Sequence, residues 1–281
     1  MLKVGYLGPE GTFSDEASAT YRKMIGKADF MPFSTFHDIL LAVDKGRIDE
    51  GIVPIENSVE GTIGIVTDML VNDVNLKIKD EIVIPVTHFL LAKKKAPLNK
   101  FTEVLSHPQV IDQCKNYIRK KLPKAKIRFT YSSAEAARQA ATTIEIEGVE
   151  MPAAIANKAS ARLYGLKVIA SKINDYPDNS TRFVVLAKND HPRTGKDKTS
   201  IVFSILKDRP GGLHNVLGEF AARKINLTKI ESRPTKRTLG DYYFFIDIQG
   251  HRRDGLISQT LSNVKRKSSF FKVLGSYPRI T

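Results

Sequence analysis

The run Asn179-Ser-Thr-Arg-Phe-Val-Val-Leu-Ala187 places polar chemistry at the mouth of an apolar strand. Its second half, Val184–Ala187, has the apolar and β-branched character of a buried strand. Its first half sets a hydroxyl donor, Thr181, beside a permanently charged guanidinium, Arg182. A Thr-Arg pair at a strand start is commonly only an edge, so its meaning depends on the other segments that the fold brings to it.

Length and composition limit the class of protein. The 281 residues are enough for about two domains, and no apolar run approaches the ~20 residues of a membrane helix. The chain start enters a strand-like pattern without a cleavage site, so we expect no signal peptide. The single cysteine, Cys114, suits a reducing cytosol, and the six histidines lack metal-ligand spacing. We therefore expect a cytoplasmic protein with no metal and no membrane partner.

The net charge of +14 is concentrated in the last part of the chain, where residues 199–281 carry +9. Such an excess is typical of a solvated basic surface, and it could also attract nucleic acid or a small polyanion. No aromatic-interleaved basic motif or zinc-finger spacing supports nucleic acid, so we expect no nucleic-acid partner.

The first 190 residues alternate strand-like and helix-like patterns, which favours α/β construction. We expect Ile82–Leu91 to be one long strand broken by Pro85, and a helix around Gln109–Lys121. Polar residues recur where strands end, and ligands of open α/β sheets bind there. We therefore expect two α/β lobes around a cleft, with the first crossing between the lobes near Ile78–Ile84.

The C-terminal part follows a polar linker with Pro and Gly at 188–198. The pattern from Ser200 to Gly275 reads strand, helix, strand, strand, helix, strand, which predicts an α+β ferredoxin-like βαββαβ unit over 199–281. Many unrelated proteins share this topology, so it is a weak indication of function.

Three further segments carry polar groups to strand ends. In Pro54-Ile-Glu-Asn-Ser-Val-Glu-Gly-Thr-Ile63, Gly61 and Thr62 are expected to open a helix whose free amides could hold a carboxylate. Tyr6–Ser14 is a Gly-rich turn before a helix, and Ser106–Cys114 begins with a serine that we expect to cap a helix. A structural turn or cap explains any one of these segments alone.

Together with Asn179–Phe183, these segments resemble the prephenate dehydratase family, and the resemblance spans about residues 2–278. It implies a two-lobed, periplasmic-binding-protein-like catalytic domain over 1–187. Lobe one would comprise about 1–78 and 174–187, and lobe two about 79–173. The chain has no segment resembling the chorismate mutase helices, so the resemblance implies a monofunctional enzyme.

The resemblance also implies a reaction that needs no base, metal or redox cofactor. Prephenate loses a carboxylate as carbon dioxide together with its ring hydroxyl, and the product is phenylpyruvate, the precursor of L-phenylalanine. Thr181 maps to the family's catalytic threonine. Arg182 could bind a substrate carboxylate or brace lobe one, and both alternatives stay open. The substrate-binding residues implied are Thr12, Glu56, Asn57, Ser58, Thr62, Ser106, Gln113, Asn179 and Arg182.

The C-terminal unit resembles an ACT domain, a module that commonly senses amino acids as dimers. Two segments correspond to the family's phenylalanine site, with Gly212 and His214 in place of its Ala and Val. The implied effector is L-phenylalanine and the implied assembly is a homodimer or homotetramer. The residues of this site are Gly211, Gly212, Leu213, His214, Glu231, Ser232, Arg233 and Pro234.

Two alternatives accompany this interpretation. Arogenate dehydratase differs by an amino group on the substrate side chain, which the sequence does not separate from prephenate. A non-catalytic amino-acid sensor with a two-lobed cleft belongs to another class, and the complete Thr181 motif argues against it.

Overall fold

The computed structural model describes residues 1–143, 151–206, 209–238 and 240–280. Within the predicted domains, residues 144–150, 207–208, 239 and 281 lie outside the described residues. The described chain forms three sheets, one for each of the two predicted α/β lobes and one for the predicted C-terminal unit. The two-lobed architecture followed by an α+β unit is therefore confirmed.

The sheet of lobe one has the order β2-β1-β3-β11-β5, with the short β4 on β3. β1 is parallel to β2 and β3, whereas β11 is antiparallel to both of its neighbours. β3 is apolar because helices cover both of its faces: Ile52 packs with α1, and Val53 with α2 and α3. The elements are β1 (Leu2–Leu7), α1 (Phe13–Ile25), β2 (Ala28–Phe33), α2 (Phe36–Asp44), β3 (Glu50–Asn57), β4 (Gly61–Thr62), α3 (Gly64–Asn72), β5 (Lys77–Pro85) and β11 (Ser180–Ala187).

Two expectations for this region are wrong. The segment 78–84 does not cross between the lobes, because β5 pairs antiparallel with β11 as far as Pro85 and buries Ile82 and Ile84 in the core of lobe one. The first part of lobe one therefore extends to Pro85. The predicted long strand over Ile82–Leu91 is two strands in different sheets, since the chain leaves lobe one between Pro85 and Phe89.

The sheet of lobe two has the order β10-β6-β9-β7-β8. The helix predicted over Gln109–Lys121 is two helices, interrupted at the buried Cys114. The elements are β6 (Phe89–Ala92), a 3₁₀ turn (Leu98–Lys100), β7 (Glu103–Ser106), α4 (Pro108–Gln113), α5 (Lys115–Lys121), β8 (Lys126–Phe129), α6 (Ser133–Thr142), β9 (Pro152–Ala156), α7 (Lys158–Leu163) and β10 (Lys167–Ser171).

Two chain crossings join the lobes and lie side by side. The amide of Val86 donates to the carbonyl of Asn179 (2.8 Å), and the amide of Ile173 donates to the carbonyl of His88 (3.1 Å). The outgoing crossing is therefore residues 86–88 and the return crossing is residues 172–179, close to where the return was expected.

The C-terminal unit is a four-stranded antiparallel sheet of order β13-β14-β12-β15. The predicted ferredoxin-like order of elements is confirmed. The predicted linker is ordered near its start, where Asp190 accepts from Arg252 Nη2 at 2.9 Å. The elements are β12 (Asp197–Ile205), α8 (Gly212–Ala221), β13 (Leu227–Pro234), β14 (Tyr242–Gln249), α9 (Gly255–Arg266) and β15 (Ser268–Pro278).

Lobe one and the C-terminal unit share one apolar core. Val202, Phe245 and Leu274 of the C-terminal sheet pack in the same cluster as Ile78 and the apolar faces of α2 and α3. Gly275 approaches Ile78 so closely that a β-carbon there would meet the Ile78 backbone. Lobe two lies outside this shared core. Among the described helices, none combines the length and the apolar character needed to cross a membrane.

Candidate active site

The candidate active site is organised by the register of β3 and β11. Thr181 pairs with Asn57, and the next residue, Arg182, pairs with Glu56. Because successive side chains of a strand point to opposite faces, these two pairs lie on opposite sides of the sheet. Thr181 and Asn57 meet on the side that faces Gln113 of lobe two, whereas Arg182 and Glu56 meet on the side of the C-terminal unit.

The orientation of Asn57 follows from its backbone neighbours. Its Oδ1 accepts from the amides of Val59 (2.9 Å) and Glu60 (3.0 Å), so its Nδ2 must point the other way. That Nδ2 donates to Asn179 Oδ1 (2.8 Å) and to Thr181 Oγ1 (2.9 Å). Thr181 is thus an acceptor toward Asn57, and its own hydroxyl hydrogen has no acceptor among the described residues.

Gln113 brings lobe two to this network. Its Oε1 accepts from Asn179 Nδ2 (3.3 Å), and its Nε2 donates to Glu60 Oε1 (3.1 Å). Its Oε1 also lies 2.8 Å from Nε2 of His88, which belongs to the outgoing crossing. Gln113 is the last residue of α4, so the network reaches from the end of a lobe-two helix to the strands of lobe one.

Ser58 belongs to the network, whereas the hydrogen bonds of the Thr12 hydroxyl stay within its own turn. Ser58 Oγ accepts from the amide of Ser180 (3.0 Å) and donates to Asn179 Oδ1 (3.4 Å). Thr12 caps α1 by accepting from the amide of Asp15 (3.2 Å); the sequence had offered Thr12 or Ser14 for this cap. The residue after it, Phe13, packs edge-on against the ring of His88 at a centroid distance of 5.7 Å.

Ser106 was predicted to face substrate and to cap a helix, and the structure does not show either role. Its side chain is fully buried, and its hydroxyl donates to the carbonyl of Ile155 (2.6 Å) between the neighbouring strands β7 and β9. The residue that caps α4 is His107, whose Nδ1 accepts from the amide of Gln109 (3.3 Å).

The sequence allowed Arg182 either to bind a substrate carboxylate or to brace lobe one, and in the structure Arg182 contacts three protein carboxylates. Its guanidinium lies 2.7 Å from Glu56, 3.4 Å from Glu81 and 3.1 Å from Asp247 of the C-terminal sheet. Burial alone would lower the pKa of Arg182, but Asp247, Tyr277 and Glu56 outweigh burial and raise it. Arg182 therefore stays charged and joins lobe one to the C-terminal unit.

Glu56 and Thr62 were also predicted to bind substrate, and in the structure both contact β13. Lys229 Nζ lies 3.3 Å from Glu56 Oε2 and donates to Thr62 Oγ1 (3.0 Å). Thr62 Oγ1 also donates to Glu231. The helix that Gly61 and Thr62 were expected to open begins later, at Gly64, because these two residues form β4 against β3. Burial raises the pKa of Glu56, but Arg182 and Lys229 outweigh it and leave that pKa below its usual range.

The cysteine is a packing residue. Cys114 is fully buried between α4 and α5, and burial raises the pKa of its thiol well above the usual range. It is therefore unsuited to act as a nucleophile. Within the described residues there is no group of three or more His, Cys, Asp or Glu side chains able to hold a metal ion.

Comparison with known proteins identifies the family. The sequence profile named prephenate dehydratase matches residues 4–191, and the profile named ACT domain matches residues 199–266. The chain belongs to the prephenate dehydratase family. The resemblance inferred from the motifs is thereby confirmed, and the C-terminal unit is an ACT domain.

Curated relatives and a solved structure agree with this membership. The chain is 40% identical to the bifunctional chorismate mutase/prephenate dehydratase of Aquifex aeolicus (strain VF5), over 99% of the chain and 74% of that protein. It is 36% identical to the prephenate dehydratase of Methanocaldococcus jannaschii, over 97% of each. A crystal structure of prephenate dehydratase from Arthrobacter aurescens in complex with L-Phe has a TM-score of 0.84 and 33% identity, covering 99% of the chain and 90% of that structure.

In this member of the prephenate dehydratase family, the two predicted effector segments lie apart within one chain. Gly211, with φ of 79°, precedes the first residue of α8. The amide of Gly212 donates to the carbonyl of Arg209 (3.0 Å), so among the described residues the amides left without a partner in the first turn of α8 are those of Leu213 and His214. Glu231–Pro234 ends β13, the edge strand of the ACT sheet, and β14 lies between β13 and β12. Along β13, Glu231 and Arg233 point inward, whereas Ser232 and Pro234 are exposed.

Some functional residues were missed in the sequence. His88 and the partners of Arg182 (Glu81, Asp247 and Tyr277) carry no local motif, and chain folding alone brings them to the site. Glu60 could have been found, because it lies inside the quoted run Pro54–Ile63 and its amide is needed to orient Asn57.

Proposed function

We propose that this chain is a prephenate dehydratase that converts prephenate to phenylpyruvate, carbon dioxide and water in L-phenylalanine biosynthesis. The observation that carries the proposal is the hydroxyl of Thr181, which accepts from Asn57 and keeps its own hydrogen for a ligand. A fixed donor of this kind suits a reaction in which a hydroxyl leaves carbon with the bonding electrons.

The reaction balances without an added reagent other than a proton. The bond between the ring and its carboxylate breaks and releases carbon dioxide. The freed electron pair moves into the ring as it becomes aromatic, and it expels the hydroxyl on the opposite ring carbon. Thr181 Oγ1–H stabilises the departing oxygen by a hydrogen bond, and the oxygen takes a proton from solvent to become water. A threonine hydroxyl is too weak an acid to give up its proton fully, so its role is that of a donor.

We propose Asn57, Ser58, Gln113 and Asn179 as the residues that orient the substrate around Thr181. Their amides and hydroxyl are already held by mutual hydrogen bonds, so little side-chain ordering is needed on binding. Thr12 stands at the start of α1, whose free amides can receive a carboxylate of the dianionic substrate.

The decisive experiment is turnover by the purified full-length chain. Prephenate is supplied at neutral pH, and phenylpyruvate and carbon dioxide are measured together, since each turnover should release one of each. Release of both products in equal amounts, far above an enzyme-free control, is the expected result. Saturable binding of prephenate or an amino acid without turnover would instead favour the non-catalytic sensor.

Arogenate dehydratase remains a second candidate because of Glu60. Its carboxylate is held 3.1 Å from Gln113 Nε2 at the edge of the network, where it could pair with the ammonium that arogenate carries and prephenate lacks. The ratio of kcat/KM for the two substrates decides between the candidates. If Glu60 contacts that ammonium, Glu60→Gln lowers kcat/KM for arogenate much more than for prephenate.

We further propose that L-phenylalanine regulates the enzyme by binding between ACT domains of paired chains. Support comes from the relative crystallised with L-Phe, from the exposed face of β13, and from the separation of the two effector segments within one chain. The contacts of Glu231 with Thr62 and of Lys229 with Glu56 offer a path from β13 to the end of β3, which carries Asn57. We expect a homodimer or homotetramer in the cytoplasm, tested by sedimentation and by activity with and without phenylalanine.

A further inference from the structure

His88 is a fully buried histidine in the outgoing crossing between the lobes, with 1% of its surface exposed. Its backbone is held by the return crossing, because its amide faces Asn174 Oδ1 (3.4 Å) and its carbonyl accepts from Ile173 (3.1 Å). Its ring packs edge-on against Phe13 at the start of α1. The position of the imidazole is therefore fixed by lobe one and by both crossings.

The hydrogen-bond directions of the network determine the tautomer of this ring. Two backbone amides fix Asn57, whose Nδ2 fixes Asn179, whose Nδ2 in turn donates to Gln113 Oε1. The Gln113 atom that lies 2.8 Å from His88 Nε2 is that same oxygen, which can only accept. His88 must therefore donate from Nε2.

The other ring nitrogen agrees with this assignment. His88 Nδ1 is buried and has no hydrogen-bond partner among the described residues. A proton on Nδ1 would be a buried donor left unsatisfied, which proteins avoid. Burial also lowers the pKa of His88, which favours the neutral ring. The ring is thus a neutral imidazole with its hydrogen on Nε2.

We propose that His88 is a positioning residue of the active site, whose Nε2–H locks the amide of Gln113 with its oxygen toward Asn179 and its nitrogen toward Glu60. Without this donor, the Gln113 amide can turn over. Its nitrogen would then oppose Asn179 Nδ2 and its oxygen would oppose the Glu60 carboxylate. Asn179 and Asn57, whose hydrogen bonds lead to Thr181, would then lose the acceptor that lobe two provides. The inference deepens the proposed function and rests on it.

The test uses a matched set of variants of the full-length chain. In His88→Gln the amide nitrogen can reach the place of Nε2, whereas in His88→Asn it reaches only the place of Nδ1. We expect His88→Leu and His88→Asn to lower kcat about 3- to 10-fold, the worth of one hydrogen bond, and His88→Gln to recover most of that loss. His37→Gln, a change at an exposed histidine, serves as the control.

The outcomes that overturn the proposal are distinct from those that overturn the function. Equal kcat in the Gln, Asn and Leu variants of His88 would refute the positioning role. So would losses of kcat that merely parallel the fall in each variant's thermal unfolding midpoint. A ¹⁵N NMR spectrum of the wild-type ring with the proton on Nδ1 would refute the assigned polarity without any activity measurement. A wild-type chain that turns over neither prephenate nor arogenate would refute the proposed function. The NMR tautomer would still determine the direction of the hydrogen bond between His88 and Gln113.

Discussion

Replacing Thr181 by valine tests the role of its hydroxyl with almost no change of shape. If the hydroxyl donates to the departing oxygen, its loss should lower kcat by about 10²- to 10³-fold, the range measured for a single donor of this kind. KM should change much less, because the donor acts mainly when charge develops on the leaving oxygen. Thr181→Ser keeps the hydroxyl and should retain most of kcat.

The structure also sets the expected effect on stability. In the valine variant, Asn57 Nδ2 keeps two acceptors, Asn179 Oδ1 at 2.8 Å and the carbonyl of Ser180 at 3.2 Å. The loss of one hydrogen bond should therefore cost only about 0.5–1.5 kcal/mol of unfolding free energy. A protein with the usual ~5–15 kcal/mol of stability stays folded after such a change.

The assay is the initial rate of phenylpyruvate formation at saturating prephenate, with urea unfolding of each variant as the control for folding. A valine variant that retains more than a tenth of wild-type kcat would refute the donor role. So would a serine variant as impaired as the valine variant, because the defect would then lie in packing.

Four further predictions concern the interface with the ACT domain and the effector site. Arg182→Met leaves Glu81 and Asp247 buried without this cation, so the unfolding free energy in urea should fall by about 3–5 kcal/mol; a loss below that of the exposed control Arg119→Met would contradict the bracing role. The pKa of Glu56 is low in the folded chain, so its stabilising effect is complete above the usual carboxyl pKa and is lost as pH falls through the folded value. The urea midpoint should therefore begin to drop as pH falls below the usual glutamate pKa of about 4.3, and Glu56→Gln should flatten that drop. Lys272 donates to the carbonyls of Leu70 (2.7 Å) and Val74 (2.8 Å) around the end of α3. Lys272→Met should therefore lower the unfolding free energy by about 1–3 kcal/mol, measured by calorimetry. An unchanged unfolding temperature would argue against this cap. Gly211→Val places a branched side chain at a positive φ, so half-maximal response to phenylalanine should need about tenfold more effector, and an unchanged dose-response curve would remove Gly211 from the site.

Much of the fold could be predicted from local pattern. The capping residues Thr12, Thr35 and Ser132 stand where helices begin, and the strand and helix order of the ACT domain agrees with the pattern from Ser200 to Gly275. The wrong expectations concern segments whose structure depends on strand pairing and not on local pattern. Ile82–Leu91 is continuous in hydrophobicity, but a change of sheet between Pro85 and Phe89 has no signature in a run of apolar residues.

The candidate site shows the same division. The residue types around Thr181 indicated a polar site at strand ends, and Asn57, Ser58, Gln113 and Asn179 do meet Thr181 in one network. Ser106 does not join this network, because its hydroxyl donates to a carbonyl of the neighbouring strand. Only the packing of β7 beside β9 shows this contact.

The sequence by itself determined the family, the order of the elements and the presence of a hydroxyl and a guanidinium side by side. Only the tertiary structure decided that the two side chains have different partners: Thr181 meets Asn57 on the side of lobe two, whereas Arg182 meets Asp247 of the ACT domain. The physical reason is the two-residue period of a strand, whose register is fixed by pairing with Asn57 and Glu56 far away in the chain. Neighbours in the sequence are thereby sent to opposite faces, and the distant partners on each face set what each side chain can do.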